Sequence, residues 1–122
     1  MFQALKDRFN NQERCVEPSC TEEGKNFAAG RKIVYPPDRA EIGRAAWKYV
    51  HARAAAFEPE KRDVEETWLK SFIALYPCRH CARDFLEICN RNPPVLTNRP
   101  EYEKWWRDAH NAVNRDLGKP QF

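Results

Sequence analysis

Asp38-Arg39-Ala40-Glu41-Ile42-Gly43-Arg44-Ala45-Ala46-Trp47-Lys48-Tyr49-Val50-His51-Ala52-Arg53-Ala54-Ala55-Ala56-Phe57 reads as one amphipathic helix. Asp38 with Glu41 three positions on fits a capping box, in which a short acceptor side chain closes the first turn. Ile42, Trp47, Val50, Ala54 and Phe57 trace one apolar face, and the stretch is rich in alanine, the strongest helix former.

Working outward, Glu58-Pro59-Glu60 breaks this helix and starts another. Val64, Trp68, Phe72, Ile73 and Tyr76 recur at three- and four-residue steps and give a second helix. Pro77 marks its end, because the residue before proline is pushed away from helical angles. A third helix runs through Cys81, Ala82, Phe85 and Cys89 and stops at Asn92-Pro93-Pro94. Asn98-Arg99-Pro100-Glu101 is a second capping-box start, and Tyr102, Trp105, Ala109, Val113 and Leu117 make a fourth stripe. Gly118 and Pro120 stop it, since glycine accepts a left-handed cap and proline cannot continue a helix. Four helices with short connections predict an all-α bundle over residues 38–122. Only 4 glycines in 122 residues argue against a turn-rich all-β sandwich.

Residues 1–37 differ from this. Pro18, Gly24, Pro36 and Pro37 sit in loop-like contexts, and Phe2, Leu5 and Phe9 are the single trace of helical spacing. The segment reads as a flexible arm carrying Cys15 and Cys20; an ordered N-terminal extension stands beside that reading. The first residues lack the continuous apolar centre of a secretory signal. No apolar run approaches the roughly 20 residues of a membrane helix, which sets aside a spanning role. The 21 basic and 18 acidic residues are interleaved, which suits a solvated surface rather than a nucleic-acid stripe.

Of the 5 cysteines, Cys78 and Cys81 form a C-x-x-C at the start of the third helix. The spacing lets two sulfurs meet across one turn. The partial positive charge of a helix N-terminus favours a thiolate, and Arg79 and His80 add to that field if they face inward. The same spacing is also half of a zinc site, which Cys15 and Cys20 could complete, so redox and zinc readings both stay open on the motif alone. A metal is less needed where four helices supply a core, and no strand pattern supports a thioredoxin-like fold. Cys89 lies eight positions after Cys81, a rise of about 12 Å on one helix, beyond the ~7 Å reach of a disulfide. It reads as a small buried hydrophobe.

Trp47 and His51 share a face of the first helix; His110, Asn111, Val113 and Asn114 cluster on the fourth. Each has an ordinary reading as core or core edge. Together they suit a cleft for a flat, hydrogen-bonding ligand. A dithiol passes electrons to oxygen inefficiently without a cofactor, and a planar ring system wants such a lining.

Gly43-Arg44-x-x-Trp47-x-x-x-His51, Tyr76-Pro77-Cys78-x-x-Cys81 and His110-Asn111-x-Val113-Asn114-x-x-Leu117-Gly118-Lys119-Pro120-x-Phe122, in this order and at these intervals, resemble the signature of the Erv/ALR sulfhydryl oxidases. Three separated motifs agree over residues 36–122. The resemblance implies an FAD-containing four-helix bundle with a short additional helix, often a homodimer. It implies that Cys78 and Cys81 form the redox disulfide beside the flavin. Cys81 would face the flavin as the charge-transfer thiolate, and Cys78 would take the incoming exchange. It places Gly43, Arg44, Trp47, His51, Tyr76, His110, Asn111, Val113, Asn114, Leu117 and Lys119 at or near the FAD. Cys15 and Cys20 become candidates for a shuttle pair that collects electrons from substrate dithiols.

The implied reaction turns dithiols into disulfides in thiol-containing protein substrates or a carrier oxidoreductase, with electrons passing to FAD and then to oxygen or cytochrome c. Two departures stand out. Arg107 occupies the first position of the disulfide that in many members ties the last long helix to a following segment, and the sequence stops at Phe122 before the second. The arm's C-x4-C also differs from the C-x-x-C common among fungal and animal members. Disulfide-forming chemistry belongs in an oxidising space, and by resemblance the expected one is the mitochondrial intermembrane space. The alternative is a non-catalytic helical zinc-binding or protein-interaction module using Cys15, Cys20, Cys78 and Cys81.

Overall fold

A computed structural model describes residues 3, 4 and 7 and residues 36–122. Cys15 and Cys20, and with them the expected arm and shuttle pair, lie outside the described residues. Near the N-terminus, Gln3, Ala4 and Asp7 are helical, and Gln3 Nε2 donates to Asp7 Oδ1 at 2.7 Å.

Pro37–Phe122 forms one compact helical unit. Its helices are α1 (Arg39–Ala55), α2 (Arg62–Ala74), α3 (Arg79–Arg91) and α4 (Arg99–Asp116), with a 3₁₀ turn at Pro59–Lys61 between the first two. All four expected helices are present, and no strand occurs among the described residues. Both capping signals work as acceptors: Asp38 Oδ1 takes Glu41 N–H at 2.8 Å, and Asn98 Oδ1 takes Glu101 N–H at 3.0 Å. Gly118 closes α4 with φ 70°, the left-handed angle that glycine adopts without penalty.

α1 lies chiefly along α4, while α3 packs on α2 and α4. The core holds Val50, Ala54, Phe57, Leu69, Cys89, Tyr102, Trp105 and Trp106, with Trp47, Trp68, Phe72 and Phe85 at its margin. Tyr102, Phe57 and Trp106 are almost wholly buried. Truncating any one of these rings costs about 3–5 kcal/mol. Trp105 Nε1 donates to the Asn92 carbonyl at 2.7 Å, which ties α4 to the end of α3.

One charge is buried in this aromatic core. Glu65 of α2 is 5% exposed and receives Arg53 Nε at 3.0 Å on each carboxylate oxygen. The Tyr102 hydroxyl donates to Glu65 Oε1 at 3.1 Å. Three helices therefore share one carboxylate. Burial drives the Tyr102 phenol well above its usual range, which keeps its proton on oxygen to donate. Cys89 is buried in the same core as a free thiol, and desolvation pushes it up to about 11.

Candidate active site

The turn after α2 delivers the cysteine pair. Leu75 N–H bonds the Ser71 carbonyl at 2.9 Å, Pro77 forbids further helix, and the chain re-enters helix at Cys78. Cys78 is the N-cap of α3, in extended conformation, and its Sγ accepts the Cys81 N–H at 3.3 Å. The two residues are joined by a disulfide with Cα atoms 5.3 Å apart. Cys78 is 8% exposed, and Cys81 is half-buried. Backbone N–H groups at a helix start favour negative charge, so reduction of this bond leaves Cys78 Sγ where a thiolate is stabilised. Among the described residues no group of three or more His, Cys, Asp or Glu is placed to hold a metal ion, and the two sulfurs bond to each other.

A second cluster joins α1 to α4. Trp47 and His110 stack face to face, ring centres 3.9 Å apart and planes 6° from parallel. His51 Nε2 and His110 Nδ1 are 2.9 Å apart, so one ring donates and the other accepts. Both imidazoles are held toward the neutral form: His51 first by burial and then by the Arg107 charge, His110 by burial, by His51 and by Lys119, down to about 4. After α4 the chain turns at Gly118, with Lys119 N–H on the Asn114 carbonyl at 2.7 Å. Phe122 then returns to the cluster. Its N–H donates to Asn111 Oδ1 at 3.0 Å, and its ring stands edge-on to His110 at 4.6 Å.

Phe85 links the two clusters. It sits one turn after Cys81 on α3 and meets Trp47 edge-on at 6.2 Å. It also stacks on Trp106 at 5.8 Å. Sequence reasoning placed Phe85 on the third helix but gave it no part in the site; its position four residues after Cys81 was the available signal.

The structure thus brings Trp47, His51, His110 and Asn111 together, and Cys78 with Cys81. Around them Asn114 is buried, Gly43 and Val113 are half-buried, and Arg44, Leu117 and Lys119 are exposed. Gly43 has open space where a side chain would stand. Tyr76 lies apart from the imidazole cluster, in an apolar groove of about 720 Å³ between α1 and α2. Ile42, Ala45 and Ala46 line one wall, Trp68, Phe72 and Leu75 the other, and Pro37 and Pro77 its end. Burial raises the Tyr76 phenol above its ordinary range.

The flat faces of Trp47 and His110, the two neutral imidazoles and the Asn111 amide suit a planar group with polar ring edges. Exposed Arg44 and Lys119, on the same two chain segments, suit phosphate. The donor set therefore fits a dinucleotide bearing a flat ring.

Residues 44–122 match the family model described as the Erv1 / Alr family. The chain is 32% identical to the mitochondrial FAD-linked sulfhydryl oxidase ERV1 of Saccharomyces cerevisiae, over 97% of this chain and 66% of that protein. It is 41% identical to the FAD-linked sulfhydryl oxidase ERV1 of Oryza sativa subsp. japonica, over 71% of this chain and 47% of that protein. The chain thus spans between about half and two thirds of the length of these relatives. Among solved structures, the crystal structure of the yeast Erv1 core superposes with TM-score 0.70 at 34% identity, covering 76% of this chain and 82% of that one.

Proposed function

Because the chain belongs to the Erv1 / Alr family, we propose that it is an FAD-dependent thiol oxidase that introduces disulfide bonds into thiol-containing proteins. The observation that carries this reading is the Cys78–Cys81 disulfide at the N-cap of α3, one turn before Phe85 and the aromatic cluster.

Exchange begins when a substrate thiolate attacks Cys78, the Cys78–Cys81 bond breaks, and Cys81 leaves as a thiolate. The substrate's second thiolate then attacks the mixed disulfide and releases Cys78. The helix start stabilises the sulfur freed there, which makes it a better leaving group. FAD would supply the two-electron acceptor that a dithiol lacks, with oxygen or cytochrome c as the proposed final acceptor. Trp47, His51, His110, Asn111 and Asn114 would hold it, with Gly43, Val113 and Leu117 beside it and Arg44, Tyr76 and Lys119 at its margins. Two uncharged imidazoles put no cation in this cluster at neutral pH, and the Phe122 ring stands edge-on to both.

Cys15 and Cys20 are proposed as the shuttle pair between substrate and Cys78. The mitochondrial intermembrane space is the proposed compartment, supported by the mitochondrial designation of the yeast relative. A homodimer is also proposed. The groove between α1 and α2 supports it, because exposed Leu75 lines it and exposed Tyr49 meets Trp68 of its wall.

Purified protein should be yellow, with flavin absorbance near ~450 nm, and should consume oxygen with dithiothreitol. Cys81→Ser should abolish that consumption. Cys15→Ser should spare dithiothreitol oxidation and impair oxidation of a protein dithiol. A colourless protein carrying one equivalent of zinc would overturn the reading in favour of the zinc module.

A further inference from the structure

The sequence between and after the two bonded cysteines is basic, and the structure puts it on the outside. Arg79, His80 and Arg83, in the first turns of α3, are all exposed. The one acid in these turns is Asp84. His80 Nε2 lies 3.3 Å from Asp84 Oδ2, and Arg83 Nη2 lies 3.3 Å from His80 Nδ1. Arg83 can only donate, so the ring carries its proton on Nε2 and turns it toward Asp84. Asp84 is thereby engaged with the imidazole. Glu87, the next acid on the helix, lies about 13 Å along the axis from Cys78, beyond the ~8–10 Å screening length at physiological salt. A neutral imidazole leaves Asp84 its charge, so Arg79 and Arg83 exceed it by one and the exposed first turns of α3 carry net positive charge.

We propose that this surface selects dithiol segments flanked by acidic residues, and that Arg79 and Arg83 set the substrate preference of the Cys78–Cys81 pair. The inference rests on the thiol-oxidase reading above. The argument is charge complementarity: the species that must reach Cys78 is an anionic thiolate, and acids around it strengthen its attraction to two exposed guanidiniums. The sequence Glu13-Arg14-Cys15-Val16-Glu17-Pro18-Ser19-Cys20-Thr21-Glu22-Glu23 has this composition, with four acids and one base around a cysteine pair. It supplies the probe. In the exchange the peptide loses two electrons and gains one disulfide. The Cys78–Cys81 bond is reduced to two thiols, and the two protons released from the peptide thiols pass to the protein pair or to solvent.

The test uses the full chain in anaerobic single turnover. One reduced peptide has the sequence Glu13–Glu23; a second has its four glutamates replaced by lysine. Each rate is normalised to the same peptide's exchange with uncharged hydroxyethyl disulfide, which removes differences in thiol reactivity. The acidic peptide should react about tenfold faster at low ionic strength, and the ratio should approach one at about 0.5 M salt. In Arg79→Glu/Arg83→Glu the ratio should invert, and in Arg79→Gln/Arg83→Gln it should fall between. Taking the ratio within each protein cancels any change in the disulfide's own reactivity. A ratio of one in the native chain, or an unchanged ratio in the charge-reversed variant, overturns the proposal. Oxygen consumption with dithiothreitol reports separately on the oxidase reading, because peptide exchange with the disulfide needs no turnover.

Discussion

Trp47 of α1 and His110 of α4 are stacked ring on ring, 3.9 Å between centres and 6° from parallel. Trp47 also meets Phe85 and Trp106 edge-on. The indole is thus both a wall of the candidate cofactor site and a wedge between three helices. Trp47→Ala should lower bound flavin at least tenfold and lower stability by about 3 kcal/mol. Trp47→Phe, which keeps a flat face, should retain most of the flavin. The ratio of flavin to protein absorbance after gel filtration measures the first effect, and chemical denaturation the second. Full flavin content in Trp47→Ala would remove Trp47 from the site.

The hydrogen-bonded imidazoles give the fold an acid sensitivity. In the unfolded chain each ring protonates near the ordinary 6.5, whereas folded His110 resists until about 4. His51 shifts in the same direction. As pH falls below 6.5 the unfolded chain takes up protons that the fold refuses, so stability declines, and the decline from this source is complete near pH 4. Both rings are partly solvated, so the loss between pH 7 and pH 5 should be about 1 kcal/mol. His51→Gln/His110→Gln should flatten this part of the profile. Thermal melts across that range compare the two slopes; parallel slopes would show that the pair does not titrate as its packing requires.

The helices were legible because their signals are local. Asp38 with Glu41, Asn98 with Glu101, Pro77 and Gly118 each act within one turn, and the apolar stripes repeat at helical spacing. The cysteine pair was legible for the same reason, since Cys78 and Cys81 need only a single turn to meet. Trp47, His51 and His110 could be nominated by type and family pattern, but no local rule says that Trp47 stacks on His110 or that the two histidines bond. Those contacts depend on how α1 lies against α4. Tyr76 shows the opposite limit: adjacent to the cysteines in sequence, it lines the groove between α1 and α2 rather than the imidazole cluster. Glu65 was unreadable altogether, because a glutamate on a polar helix is ordinarily solvated and its two partners come from other helices.

Glu65 should therefore be the most sensitive charged position in the bundle. Removing it leaves the Arg53 guanidinium and the Tyr102 hydroxyl without their shared acceptor. A broken buried pair costs about 3–5 kcal/mol, and the partial exposure of Arg53 moves the expectation for Glu65→Ala toward about 3 kcal/mol. Glu65→Gln keeps one acceptor oxygen and should cost less. Adding Arg53→Met to Glu65→Ala should recover part of the loss, because the second change removes the unpaired charge. Urea titrations of the native chain, Glu65→Ala, Arg53→Met and the double variant form the cycle. Strict additivity would mean that the ion pair contributes nothing of its own.

Leu75 tests the assembly. It is 79% exposed at the mouth of the α1–α2 groove, and Val64 on the same helix face is 64% exposed. A leucine held in water gains about 2 kcal/mol when a second copy covers it, and isologous pairing counts that gain twice. Leu75→Asp replaces the gain with two like charges brought together at the contact. The native chain should run as a dimer in light scattering at micromolar concentration, and Leu75→Asp as a monomer. The cysteine pair lies beyond the groove's end, at the start of α3, so the monomer should keep its Cys78–Cys81 disulfide and its helix content. A monomeric native chain would leave the groove as apolar surface without a partner copy. A dimeric Leu75→Asp would move the interface to another face.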